Sequence, residues 1–169
     1  MRRQTAGTEG YLARRRAMNL YKFGVKLFFA NQQDRELTEF IPVFHRWIQQ
    51  QALPGHLLID VHDYSHVHHG PGILLVAHEA NLSVDEAEGR RGLVYIRKQP
   101  ATLRETLDAA FAAAKLLDDI EFETNTFEVF SNDRLFTPTA VQIAEATGGK
   151  VTQKPGDPRE RLTFVVERS

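Results

Sequence analysis

Six of the seven histidines in this 169-residue chain lie between His56 and His78. Imidazoles and carboxylates are common ligands of zinc, iron and nickel, and an imidazole oriented by a carboxylate can also move protons near neutral pH. The densest stretch, DVHDYSHVHHGPG at residues 60–72, contains both types of group. This segment is therefore the first place to look for a binding or catalytic site.

Alternating apolar and polar residues predict a strand over residues 57–64, with Leu57 and Ile59 facing inward. Asp60 and His62 then project together from the opposite side of that strand. A histidine oriented by a carboxylate can move protons near neutral pH, which is the basis of general acid–base catalysis. Asp60 and His62 are therefore the candidate catalytic residues. The simpler interpretation of the same spacing is a hydrogen-bonded Asp–His pair with a purely structural role.

A divalent metal such as zinc, nickel or iron is the second interpretation of the segment. If the loop closes symmetrically, Asp60 opposes Ala77 and Glu79 shares the Asp60 face, whereas a one-residue slip places His78 opposite Asp60. The zinc motif HExxH is absent, because Ala-Asn-Leu follows His78-Glu79. The candidate metal ligands are His62, His66, His68, His78 and Glu79.

A third interpretation is recognition of a small anionic ligand without a metal. Lys22 and Lys26 lie on the polar side of another predicted strand, and with Tyr64 they are the candidate ligand-binding residues. The segment also fits an ordinary surface loop that ends in the Gly70-Pro71-Gly72 turn.

The positions of these residues depend on a predicted element order of β-α-β-β-β-α-β-α-β. Strands that alternate apolar and polar residues, with few helices to cover them, are typical of an α+β fold. We expect a two-layer sandwich, with the helices on one face of a mostly antiparallel sheet. The predicted strands cover residues 20–30, 57–64, 73–80, 93–98, 126–131 and 162–167, and the helices begin near Pro42, Thr102 and Pro138.

Composition excludes several classes of protein. The chain has no cysteine, which excludes disulfide scaffolds, iron–sulfur clusters and thiolate zinc sites. A net charge of −1 argues against a nucleic-acid coat, and the absence of a long apolar run argues against a membrane span or a signal peptide. We therefore expect a cytoplasmic protein with a basic, flexible arm at residues 1–19 and a single domain over residues 20–169.

No motif names a reaction, so the sequence leaves open whether the chain is an enzyme. The first expectation is a small-ligand or metal-binding domain that uses the histidine-rich strand–loop–strand from Asp60 to Glu79. The alternative is a non-catalytic interaction protein, which either dimerises through its sheet face or binds a partner through its arginine-rich N-terminus. A homo-oligomer is compatible with both expectations.

Overall fold

The computed structural model describes residues 22–31, 34–132, 137–156 and 161–169, so the predicted arm lies outside the described residues. This part of the chain confirms the expected mixture of helices with an antiparallel sheet. The strands are β1 (Phe23–Phe29), β2 (Leu58–Tyr64), β3 (Gly72–Ala77), β4 (Ala80–Asp85), β5 (Gly92–Arg97), β6 (Phe122–Ser131), β7 (Lys150–Gln153) and β8 (Leu162–Glu167). The α-helices are α1 (Phe40–Gln50), α2 (Leu103–Leu116) and α3 (Ala140–Thr147).

The eight strands form one sheet in the order β2-β3-β4-β5-β1-β6-β8-β7. The predicted element order was wrong because it omitted β4 and β7. The strand predicted over residues 73–80 is divided, since β3 ends at Ala77 and β4 begins at Ala80. Residues of β4 do alternate, with Ala80, Leu82 and Val84 buried, and this pattern was missed because the strand follows β3 after only two residues. Strand β7 is only four residues long and has a single apolar residue, so it carries no clear pattern.

Local sequence signals explain where the helices begin and end. Pro42 lies in the first turn of α1, where its missing amide donor costs no helical hydrogen bond. The Thr102 side chain caps α2 and Glu105 completes the capping box. Gly148 ends α3 at φ 70°, a left-handed conformation that glycine adopts without strain. No helix within the described ranges is long and apolar enough to span a membrane.

The main core lies on one side of the sheet. Alternate strand positions supply buried side chains that join buried residues of the three helices in a single apolar cluster. Side chains at the intervening positions point to the opposite side, here called the polar face. That face includes Lys26, Phe28, Ser83, Asp85, Glu128 and Thr163.

Lys26 is a charged side chain at the centre of the sheet and is only 3% exposed. Its Nζ lies 2.7 Å from Asp85 Oδ1 and donates a second hydrogen bond to the Arg90 carbonyl at 2.8 Å. Gly92 makes room for the lysine stem, because a Cβ at this position would lie 2.8 Å from Lys26 Cε. The buried charge is thus paired and hydrogen-bonded, as the low-dielectric interior requires.

The edge strand β2 differs from its predicted orientation. Leu58 is the inward-facing residue and is 3% exposed, whereas Leu57 and Ile59 are 56% and 53% exposed. The cause is an irregularity in the β2–β3 register between Leu58 and Asp60, which shifts the alternation along the strand. The Gln51 side chain hydrogen-bonds both the amide and the carbonyl of Leu58.

Removing Asp85 tests the importance of the buried ion pair. We expect Asp85→Ala to lower the free energy of unfolding by about 3 kcal/mol, because it leaves the Lys26 ammonium buried without its counter-charge. The double variant Lys26→Met with Asp85→Leu carries no buried charge and should lose less stability than Asp85→Ala. Denaturant unfolding monitored by circular dichroism measures both.

The exposed Arg35–Asp119 pair provides a matched control, because it has a similar N–O distance of 2.8 Å. Asp119→Ala should cost less than about 1 kcal/mol. An Asp85→Ala cost no larger than that of Asp119→Ala would contradict the assigned role of the buried pair.

Candidate functional site

The loop between β2 and β3 is ordered by its own polar groups. Asp63 accepts hydrogen bonds from the Ser65 hydroxyl at 2.5 Å and from the Ser65 amide at 2.9 Å. These bonds hold the pKa of the Asp63 carboxyl below its ordinary value. The Val67 amide then donates to the Tyr64 carbonyl, and the Gly70 amide donates to the Val67 carbonyl. Two successive turns therefore fix the path of the histidine-rich loop.

This loop faces the connection between β4 and β5, and the two border an open, solvent-exposed cleft of about 560 Å³, here called the histidine cavity. The His68 and His69 ring centroids lie 3.9 Å apart at the cavity wall. The wall combines imidazoles, hydroxyls and carboxylates from Tyr64, Ser65, His66, His68, His69, Glu86 and Glu88.

The predicted catalytic pair lies outside this cavity. His62 Nε2 is 3.5 Å from Asp60 Oδ2, and both side chains are about half exposed. Asp60 also accepts a hydrogen bond from the Val61 amide at 2.8 Å. The His62 and Tyr64 rings lie 6.1 Å apart. Asp60, His62 and Tyr64 project from the same side of β2, and of these three Tyr64 lines the histidine cavity. The structure therefore brings Asp60 and His62 together on an open surface.

His78 and Glu79 lie at the other end of the hairpin, in the turn between β3 and β4. Glu79 Oε2 accepts a hydrogen bond from the Leu57 amide at 2.8 Å. Asp60 pairs with Val76, so neither of the two expected registers occurs. A strand as long as β2 extends for about 20 Å, which separates His78 and Glu79 from the histidine loop.

The predicted metal ligands are therefore divided between the two ends of one hairpin. Across the described ranges, no group of three or more His, Cys, Asp or Glu side chains is arranged to hold a metal ion. The five predicted ligands, His62, His66, His68, His78 and Glu79, do not form one centre in this geometry.

The two predicted ligand-binding lysines are also remote from His62. Lys26 and His62 occupy the same row of the polar face, but three strands lie between β1 and β2. At the usual strand spacing their backbones are about 19 Å apart. Lys22 is exposed just before β1, beyond Phe23. The structure therefore does not bring either lysine together with His62 and Tyr64.

His56 belongs to a series of hydrogen-bonded side chains that the sequence did not indicate. With Nδ1 donating to the Pro54 carbonyl at 2.9 Å, Nε2 accepts from the Tyr95 hydroxyl at 2.7 Å. Arg97 donates to the same hydroxyl at 3.2 Å, and burial raises the Tyr95 pKa. This histidine therefore satisfies a buried polar group and takes no part in the histidine cavity.

A second cavity of about 430 Å³ lies on the polar face, and we call it the basic cavity. Ala87 and Glu88 line both cavities, so the β4–β5 connection forms a shared wall. Of the candidate ligand-binding residues indicated by the sequence, Lys26 lies here, and the remaining charged side chains come from separate segments without a common motif. The charged residues that line it are Lys26, Glu88, Arg90, Glu128, Lys154 and Arg161.

Glu88 and Lys154 form an ion pair across the basic cavity, with Oε2 and Nζ 2.5 Å apart. The hydrogen bond from Lys154 lowers the Glu88 pKa, and the same bond raises the Lys154 pKa. Lys154 also lies 3.5 Å from Glu128. Glu88 itself is mostly exposed and sits at φ 58° in the short turn Ala87–Gly89.

No family model, curated protein or solved structure matches this chain. The function must therefore be inferred from the two cavities and the groups that line them.

The Glu88–Lys154 pair has a testable pH dependence. Because the Glu88 pKa is lowered, its contribution to stability is present above the ordinary value of 4.5 and is lost as pH falls through the folded value. Because the Lys154 pKa is raised, its contribution is present below 10.5 and is lost as pH rises through the folded value. Lys154→Met should raise the Glu88 pKa, as measured by carbon-13 NMR titration of the carboxyl group.

The control for this titration is Lys115→Met, which removes an exposed lysine from α2. Lys115→Met should give the same Glu88 pKa as the unsubstituted protein. An unchanged Glu88 pKa in Lys154→Met would contradict the ion pair.

Proposed function

We propose that this chain is a small-molecule-binding domain that uses the histidine cavity as its binding site. In this proposal, the helices and the sheet form a two-layer sandwich, and the β2–β3 and β4–β5 connections at one end of the sheet remain available to a ligand. The observation that carries the proposal is the convergence of three imidazoles, two hydroxyls and two carboxylates around about 560 Å³. Cavities of this size commonly hold small organic ligands.

The chemistry of the wall favours a polar ligand with hydroxyl or amide groups. A neutral imidazole offers one donor and one acceptor, while Glu86 and Glu88 offer acceptors only. The Ser65 hydroxyl already donates to Asp63, so its proton is engaged within the loop. These groups support recognition by hydrogen bonds, with the Tyr64 ring as an apolar contact.

Screening a library of small hydroxyl- and amide-containing molecules by saturation-transfer NMR tests this proposal. We expect ligands whose signals disappear in the double variant His66→Gln with His68→Gln, because this variant removes two imidazoles from the wall. Glutamine keeps polar groups on these exposed loop residues, so the variant should retain the melting temperature of the unsubstituted protein.

The matched control is His45→Gln, since His45 is an exposed histidine on α1 outside the cavity lining. It should retain every ligand found with the unsubstituted protein. The proposal fails if no library member binds, or if the double variant keeps all the ligands.

A further inference from the structure

The basic cavity is built on the polar face of the central strands. Its floor contains Lys26 and Phe28 of β1, Glu128 of β6 and Thr163 of β8, which adjacent strands bring together through antiparallel pairing. The turn Ala87–Gly89 and the residues after β7 form its walls. The cavity is therefore formed by segments that the sheet holds in fixed positions.

Two arginines in this cavity lie on aromatic rings. The Arg90 guanidinium carbon is 3.6 Å from the Phe28 ring centroid, and the Arg161 guanidinium carbon is 3.9 Å from the Phe130 ring centroid. Stacking of this kind holds a guanidinium plane in place while its N–H edges remain available as donors.

Among the described residues, the charged groups that line the cavity are unevenly paired. Lys26 is paired with Asp85, Arg90 with Glu123, and Lys154 with Glu88 and Glu128. Arg161 makes no ion pair with any residue in the described ranges. Within the described ranges, the Arg161 guanidinium therefore has no carboxylate partner and lines the same cavity as the Lys154 ammonium.

Glu88 is the carboxylate in this network that an external anion can replace at the lowest cost. Its side chain is mostly exposed, and exposed ion pairs contribute little to stability. By contrast, Asp85 is buried against Lys26, and Glu128 lies within the sheet. Loss of the Glu88 contact would free the Lys154 ammonium without disturbing the buried pair.

We propose that the basic cavity binds the phosphate or carboxylate group of a small molecule, which contacts Lys154 and Arg161 and displaces Glu88 from Lys154. The Glu88 carboxylate occupies the anion position when the cavity is empty. This site goes beyond the function proposed above, because it requires no ligand in the histidine cavity.

Titration with inorganic phosphate and, separately, with succinate tests the proposal. Nitrogen-15 NMR spectra are recorded at constant ionic strength maintained with sodium chloride. We expect saturable shifts of the Glu88, Lys154 and Thr163 amide signals with at least one anion. Lys154→Met and Arg161→Met should each weaken that binding about tenfold, because each removes a charge-assisted hydrogen bond.

Glu88→Gln distinguishes displacement from simple attraction to a basic surface. It removes the competing carboxylate and should tighten anion binding several-fold. Arg104→Met and Glu145→Gln are the matched controls, because both residues are on helices and outside the cavity lining. Both controls should bind the anion like the unsubstituted protein.

Three results would overturn this inference. These are no saturable shift with either anion, unchanged affinity in Lys154→Met and Arg161→Met, and unchanged or weaker affinity in Glu88→Gln. The double variant His66→Gln with His68→Gln should keep its anion affinity, so failure of the histidine-cavity proposal can be recognised separately.

Discussion

The buried Lys26 ammonium near the centre of the sheet constrains the path of the β4–β5 connection. Lys26 needs both the Asp85 carboxylate and the Arg90 carbonyl, and these groups come from the two ends of the β4–β5 connection. An unpaired charge in this environment would be strongly unfavourable, so the connection must return to the sheet at this point. Gly92 allows the approach by leaving space for the lysine stem.

The same connection separates two chemically different cavities. On one side it faces imidazoles and hydroxyls of the β2–β3 loop, and on the other it faces cationic side chains on the polar face. Glu88 is common to both walls and already engages Lys154. A substitution of Glu88 therefore changes the wall of both cavities and leaves the buried Lys26–Asp85 pair in place.

The sequence predicted regular elements well where a repeated pattern or a capping signal was present. The existence of strand β1 and the Thr102 capping box are examples, and both depend on interactions close together in the chain. The alternation in β1 predicts one buried face, however, whereas all seven residues of the strand are buried. The histidine-rich composition of the β2–β3 loop is visible in the sequence, and three of its histidines line a cavity in the structure. Strand order and register depend on contacts distant in sequence, which is why the sequence shows neither the separation of Lys26 from His62 nor the position of Arg161 in a cavity wall.

The edge strand β2 carries exposed apolar side chains, yet its backbone is poorly suited to template another strand. Gln51 occupies the amide and carbonyl of Leu58, and Asp60 occupies the Val61 amide. A bulge at the same point further interrupts the regular edge. The chain can thus display Leu57 and Ile59 to solvent while resisting the open-ended sheet growth that leads to fibrils.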